Sequence, residues 1–193
     1  MIEFLQNNWI EVTGTMLSLF YLYFSIKEKL SLWVFGFLSA LFYIVVFYNA
    51  KFYADMSLQF YYLAVSVFGF VSWKFGHQHN TKQTLLIRTS TFKHLMYLFL
   101  SAFAIFLLYY FVLVNFTDSP IPIADSVTTA LSIVATWMLA RKRIEHWLLW
   151  IFIDAFSAVL YVQKGLYTTA VLFFIYTIMA IVGYFSWRKL MLK

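Results

Sequence analysis

The chain has no cysteine among its 193 residues, only two prolines and six glycines, and 11% charged residues. Without cysteine there is no disulfide, no thiolate nucleophile and no iron–sulfur site. Both prolines fall in DSPIPIAD (118–125), so no long apolar run is broken by one. The shortage of charge is the most restrictive absence, since a soluble domain carries about 25%. Here 63% of residues are hydrophobic and 23% aromatic. No soluble fold of this length hides so much apolar surface, so the solvent is lipid. No P-loop is present, which excludes ATP hydrolysis of that kind. No basic face survives once helices are placed in lipid, so nucleic acid is not an expected partner. The opening MIEFLQNNW has no Lys or Arg ahead of its apolar run, unlike a cleaved signal peptide, and the first helix is expected to stay.

A membrane span needs about 20 apolar residues. Seven runs qualify, near 9–26, 32–50, 54–73, 93–114, 125–140, 147–163 and 166–187. Turns as short as KEK (27–29) and RKR (141–143) force antiparallel neighbours. Seven spans put Lys27, Lys29, Lys74, Lys82, Arg88, Lys93, Arg141, Lys142, Arg143, Arg188, Lys189 and Lys193 on one side. Only Lys51 and Lys164 lie on the other. Positive charge collects on the cytoplasmic side, so the N-terminus is expected outside and the C-terminus in the cytoplasm.

A shift of 114 residues matches the sequence to itself without a gap. Glu11 falls on Asp125, Lys27 on Arg141, Lys29 on Arg143, Trp33 on Trp147 and Tyr53 on Tyr167. Gly69 falls on Gly183, Ser72 on Ser186, Trp73 on Trp187 and Lys74 on Arg188. Chance accounts for Phe on Phe in so aromatic a chain. It does not account for paired basic flanks and paired G-x-x-S-W ends at one constant offset. The organisation expected is a single all-α transmembrane domain of seven helices, 1–193. Repeat 1 runs over about 9–74, a linker helix over about 93–114 and repeat 2 over about 125–188. Three helices invert the chain and the fourth restores it, so the repeats lie parallel in a 3+1+3 arrangement.

A carboxylate within a span costs about 2.5–3.5 kcal/mol on insertion scales and tends to mark a cavity. Asp154 lies about 10 Å below Trp147 at about 1.5 Å per residue. At about 100° per residue, Trp147, Trp150 and Asp154 share one face. Two indoles and a carboxylate suit a flat aromatic cation. An interfacial anchor is the plainer role for Trp147 alone. On the third span Asp55, Gln59 and Tyr62 share a face, where an amide suits hydroxyls or another amide. Asp55 also suits a helix start. Thr129, Ser132 and Thr136 form a stripe on the fifth span, for close packing or a cavity wall. Asp125 and Glu11 suit helix caps. His77, His79, His94 and His146 have no acidic neighbour at metal-ligand spacing, so neither a metal nor another cofactor is expected. The last span has no Lys for a retinal Schiff base.

The stretches YADMSLQFYY (53–62), DSVTTALSIVATWMLARKRIEHWLLWIFID (125–154), KGLY (164–167) and GYFSWRK (183–189) resemble the PnuC/Pnu family of vitamin transporters over nearly the whole chain. The most specific element is W-x-x-W-x-x-x-[N/D], met by Trp147, Trp150 and Asp154. The resemblance implies a full-length SWEET-like fold in a bacterial inner membrane. It implies homotrimers, facilitated diffusion without a coupling ion, and trapping of the substrate by a separate cytoplasmic kinase. It implies substrate contacts from Trp147, Trp150 and Asp154, with Gln59 opposite. The PQ hinge of SWEET carriers is missing. Nicotinamide riboside, a pyridinium, is the family's default substrate, and thiamine, a thiazolium, is the alternative. The family's riboside carriers bear Asn at the position of Asp154, and Asp suits either cation. From another class, a membrane sensor binds the same ligand without moving it, though no loop is long enough for an output domain. An enzyme is the least favoured reading. Labelled substrate should exchange by counterflow in proteoliposomes without a proton or sodium gradient. Binding without exchange would identify a sensor instead.

Overall fold

The computed structural model describes residues 9–49, 53–78, 81–117, 119, 121–163 and 167–192. The MIEFLQNN segment, Lys51, His79, Lys164, Gly165, Leu166 and Lys193 lie outside the described residues. The apolar runs form α1 (Trp9–Ile26), α2 (Ser31–Asn49), α3 (Tyr53–Phe75), α4 (Phe92–Phe116), α5 (Pro122–Ala140), α6 (His146–Gln163) and α7 (Tyr167–Met191). Six of them, α2 to α7, are long and apolar enough to cross a membrane. All seven expected runs form helices, and six of them meet that length among the described residues; the apolar part of α1 described there is Val12–Ile26. The polar stretch after α3 is not simply a loop: β1 (His77–Gln78) pairs antiparallel with β2 (Thr81–Thr84).

The chain divides into two compact units, Met1–Leu86 and Ile87–Lys193. In the first, α2 packs on α1 and on α3. In the second, α4 packs on α5, α5 on α6 and α6 on α7. A cluster of Ala102, Val134 and Met138, flanked by Leu98, Ile105, Leu131 and Leu149, joins α4, α5 and α6. Small residues let these helices approach closely, which is how helices associate where lipid removes the hydrophobic drive. Pro122 opens α5 in its first turn, a position where its missing N–H is no loss.

One turn is built twice. After α1 the Glu28 N–H donates to the Ser25 carbonyl at 3.1 Å and the Lys29 N–H to Phe24 at 2.9 Å. After α5 the Lys142 N–H donates to Leu139 at 2.9 Å and the Arg143 N–H to Met138 at 2.9 Å. Every partner is 114 residues from its counterpart. This bond pair is the Schellman ending of a helix, which needs a left-handed residue. Glu28 and Lys142 supply it at φ 53° and 51°, although neither is glycine and the conformation costs about 1–2 kcal/mol. The next helix begins at once, so each turn sets a tight helix pair.

A second feature also recurs. Trp33 on α2 lies edge-on to Trp73 of α3, centroids 5.5 Å apart, and Trp147 on α6 lies edge-on to Trp187 of α7 at 5.9 Å. Each first tryptophan fills a notch left by a glycine. A Cβ at Gly69 would overlap the Trp33 ring, and one at Gly183 would sit 2.6 Å from the Trp147 ring. Only glycine lets these indoles reach the facing helix.

The second unit carries a strap across its turn. The Arg88 N–H donates to the Lys142 carbonyl at 3.0 Å, and the Ile144 N–H returns a bond to Arg88 at 3.1 Å. Glu145 accepts from the Ser90 N–H at 2.7 Å and from its hydroxyl at 3.1 Å. Arg143 donates to the Thr89 carbonyl at 2.7 Å. Burial first, then the nearby Arg88 and Arg141, pull the Arg143 guanidinium below its ordinary pKa, while Glu145 opposes them. An arginine stays charged regardless, so Glu145 both pins the strap and tempers a crowded basic turn.

Gly183→Ala should destabilise the protein by about 1–3 kcal/mol, the usual cost of overpacking. A thermal unfolding scan in detergent checks this, and an unchanged midpoint would mean that the notch is not tight.

Candidate functional site

The rotation of α6 is set at its first turn. Trp147 is 1% exposed, its ring between Gly183 and Trp187 of α7. His146, also buried, packs on both indoles with centroids at 4.6 and 4.8 Å. Its Nδ1 lies 2.7 Å from the Arg143 carbonyl. A carbonyl only accepts, so Nδ1 carries the hydrogen, and a neutral ring then leaves a lone pair on Nε2. Nε2 and the Trp147 Nε1 have no hydrogen-bond partner among the described residues. Trp147, expected as a substrate contact, packs here against α7.

Further along the same face the surroundings change. Trp150 is half-buried. Asp154 is 6% exposed and is the one acidic side chain among the buried described residues. No described residue forms a hydrogen bond with its carboxylate. A buried, unpaired carboxylate is expensive, so the position is costly unless a partner arrives. One turn on, Ser157 is 8% exposed. Its hydroxyl too is without a hydrogen bond among the described residues. Ser157 was not singled out from the sequence, because a small hydroxyl in a helix carries no signal of its own.

On α5 the hydroxyl residues separate into two groups. Ser126 donates to the Pro122 carbonyl at 2.6 Å, Thr128 to Ala124 and Asp125 at 3.1 Å, and Thr136 to Ser132 at 2.8 Å. These bonds to the helix's own carbonyls satisfy the hydroxyls without a ligand. Thr129 and Ser132 make no such bond among the described residues. Asp125 lies in the first turn of α5 and accepts from the Ser119 hydroxyl at 2.6 Å, a helix-start role that suits the macrodipole.

The remaining candidates lie in the first unit. Asp55 is exposed in the first turn of α3, whereas Gln59 and Tyr62 are half-buried. Tyr62 packs beside Tyr61 with centroids 5.9 Å apart. The face that begins at Asp55 continues into Ser66, Gly69 and Trp73, all buried. By helix face, Trp147, Trp150 and Asp154 form one row on α6 and Asp55, Gln59 and Tyr62 another on α3, with Thr129 on α5. Among the described residues no group of His, Asp or Glu is arranged to hold a metal.

Long apolar helices around one buried, unpartnered acid define a multi-pass membrane protein of the transporter class. The model of the family described as nicotinamide mononucleotide transporter matches residues 8–189, and the chain belongs to that family. It is 26% identical over 204 residues to the nicotinamide riboside transporter PnuC of Escherichia coli (strain K12), covering 93% of this chain and 85% of that protein. It is 26% identical over 198 residues to the protein of that name from Neisseria mucosa, covering 97% and 74%. Among solved structures it is similar to one described as the crystal structure of the vitamin B3 transporter PnuC. That match has a TM-score of 0.75 and 25% identity, over 97% of this chain and 83% of that one.

Asp154→Leu should raise stability by about 1–3 kcal/mol, by removing a buried polar group that lacks a partner. A lower unfolding midpoint in detergent would show that the carboxylate is satisfied in the folded protein.

Proposed function

We propose that this chain carries nicotinamide riboside across the bacterial inner membrane by facilitated diffusion. The observation that carries the reading is Asp154: buried, acidic, without a partner, and on one face with Trp150. A pyridinium supplies the missing charge, and the indole offers a π-face to the same cation. The relatives named as nicotinamide riboside transporters support this substrate. The family description names the mononucleotide instead. The acid favours the riboside, because a phosphate brings negative charge toward Asp154. The lysines and arginines that would oppose it lie at helix ends and in turns.

In this reading α1–α3 and α5–α7 are parallel repeats about α4, a 3+1+3 SWEET-like arrangement. The repeated turns and tryptophan notches support it. Gln59, with Tyr62 and Asp55, contacts the substrate from the first repeat. Trp150, Asp154 and Thr129 contact it from the second, with Trp147 bracing them. Rocking of one repeat against the other exposes the site to each side in turn, without a coupling ion. A cytoplasmic kinase then phosphorylates the riboside, and its added charge prevents return. The carrier works as a homotrimer in lipid, with the N-terminus outside and the C-terminus in the cytoplasm. Thiamine, also a flat cation, is the competitor to measure.

Asp154→Ala should abolish uptake of labelled nicotinamide riboside, at least ~100-fold, matching the loss of a charge-assisted contact of about 3 kcal/mol. Normal uptake by a correctly inserted Asp154→Ala protein would remove Asp154 from the site.

A further inference from the structure

The two units share their turns and their tryptophan notches at an offset of 114 residues, so a pairing in one indicates what faces what in the other. In the first unit the Thr15 hydroxyl and the Tyr43 hydroxyl are 3.0 Å apart, joining α1 to α2. The Tyr43 ring lies over Gly14, where a Cβ would meet it at 3.4 Å, and stacks on Phe47 at 5.6 Å. The counterparts of Thr15 and Tyr43 are Thr129 on α5 and Ser157 on α6. The threonine is kept, and the phenol is cut back to a hydroxymethyl. Thr128, standing where Gly14 does, returns only one small side chain to that space, and its hydroxyl is bonded to its own helix. By this correspondence Thr129 and Ser157 take the facing positions on α5 and α6, without the aromatic ring that stands there in the first unit.

Two buried groups open onto the same face of α6. Ser157 follows Asp154 by three residues, and both are more than nine-tenths buried without a hydrogen bond among the described residues. A companion exchange differs. Tyr21 lies against Gly36 in the first unit, where a Cβ would meet its ring at 2.9 Å. The second unit has Ala135 and Trp150 at those positions. The ring at that level thus passes from α5 to α6, ahead of Asp154, while the one at Ser157 is lost outright.

We propose that Thr129 and Ser157 form a hydroxyl-recognising subsite next to the cation site, and that they hold the sugar diol of the substrate. The assignment rests on the carrier reading and deepens it. A serine and a threonine hydroxyl each donate one hydrogen bond and accept others, as neighbouring sugar hydroxyls do. With the charged ring between Trp150 and Asp154, the sugar extends one helical turn further along α6. The subsite then distinguishes a riboside from a flat cation without a sugar.

The test uses the purified full chain in proteoliposomes and two probes. One is nicotinamide riboside. The other is the N-methylnicotinamide cation, which keeps the charged ring and lacks the sugar. Ser157→Ala and Thr129→Val should each weaken riboside binding about tenfold, the equivalent of one hydrogen bond. Affinity for the N-methyl cation should stay within about twofold of wild type. Ser157→Tyr, which restores the ring of the first unit, should keep or raise the thermal midpoint and lower riboside affinity more than either truncation. Unchanged riboside binding in all three variants, or an equal loss for both probes, overturns the subsite. A wild-type protein that binds neither probe overturns the carrier reading and the subsite together, a result distinct from the other two.

Discussion

The contact between a tryptophan and a glycine on the next helix governs the arrangement of each unit. In lipid, apolar side chains gain little by leaving their surroundings, so close packing must hold the helices. Trp147 reaches α7 only because Gly183 has no side chain. An indole held from both sides by His146 and Trp187 cannot rotate without opening that interface. Because Trp147 fixes the rotation of α6, the positions three, seven and ten residues on are fixed with it. Trp150, Asp154 and Ser157 stand where they do as a consequence. Trp33, Gly69 and Trp73 impose the same rotation on α2, yet the residues that follow there are Gly36, Ala40 and Tyr43. The frame is common to both units, and the buried acid is confined to one.

This separation explains where local rules are broken. Glu28 and Lys142 accept a left-handed backbone that glycine would adopt at lower cost. The same turns leave no room for a longer loop between basic flanks. Asp154 breaks the rule against buried charge, and its counterpart Ala40 does not. A cost present in one copy and absent in the other is not required by the fold, since the fold is made without it. Asp154 is therefore not explained by the shared frame, which agrees with the role the proposed carrier gives it.

Much of this was legible in the sequence, for identifiable reasons. Helix positions follow from apolar runs between short basic turns, and the structure meets each expected run within a few residues. The 114-residue correspondence was visible because turn hydrogen bonds depend on spacing, and the spacing recurs at one constant offset. Other features needed coordinates. A helical wheel gives the face of Trp147 but not the neighbour that face meets, which in this structure is Gly183 and Trp187. The strap at Arg88–Ser90 depends on Glu145, 55 residues away from Ser90, and no local pattern signals such a bond. Ser157 was silent because its meaning lies in a comparison: it stands where Tyr43 reaches Thr15 in the first unit.

The cost of burying Asp154 also bears on how such a protein would work. A carboxylate held away from water favours any cation that fits, since the ligand removes an existing penalty as well as adding contacts. The same penalty returns when the ligand leaves, which limits how tightly a neutralised site can hold its guest without stalling release. A passive carrier needs that balance, because no ion gradient drives it through the unloaded step. In the proposed site an acid on one face with an indole, and hydroxyls further along, would give affinity that depends on charge first and on hydrogen bonds second. A flat cation bearing a sugar satisfies both requirements, while an equally flat cation without one satisfies only the first.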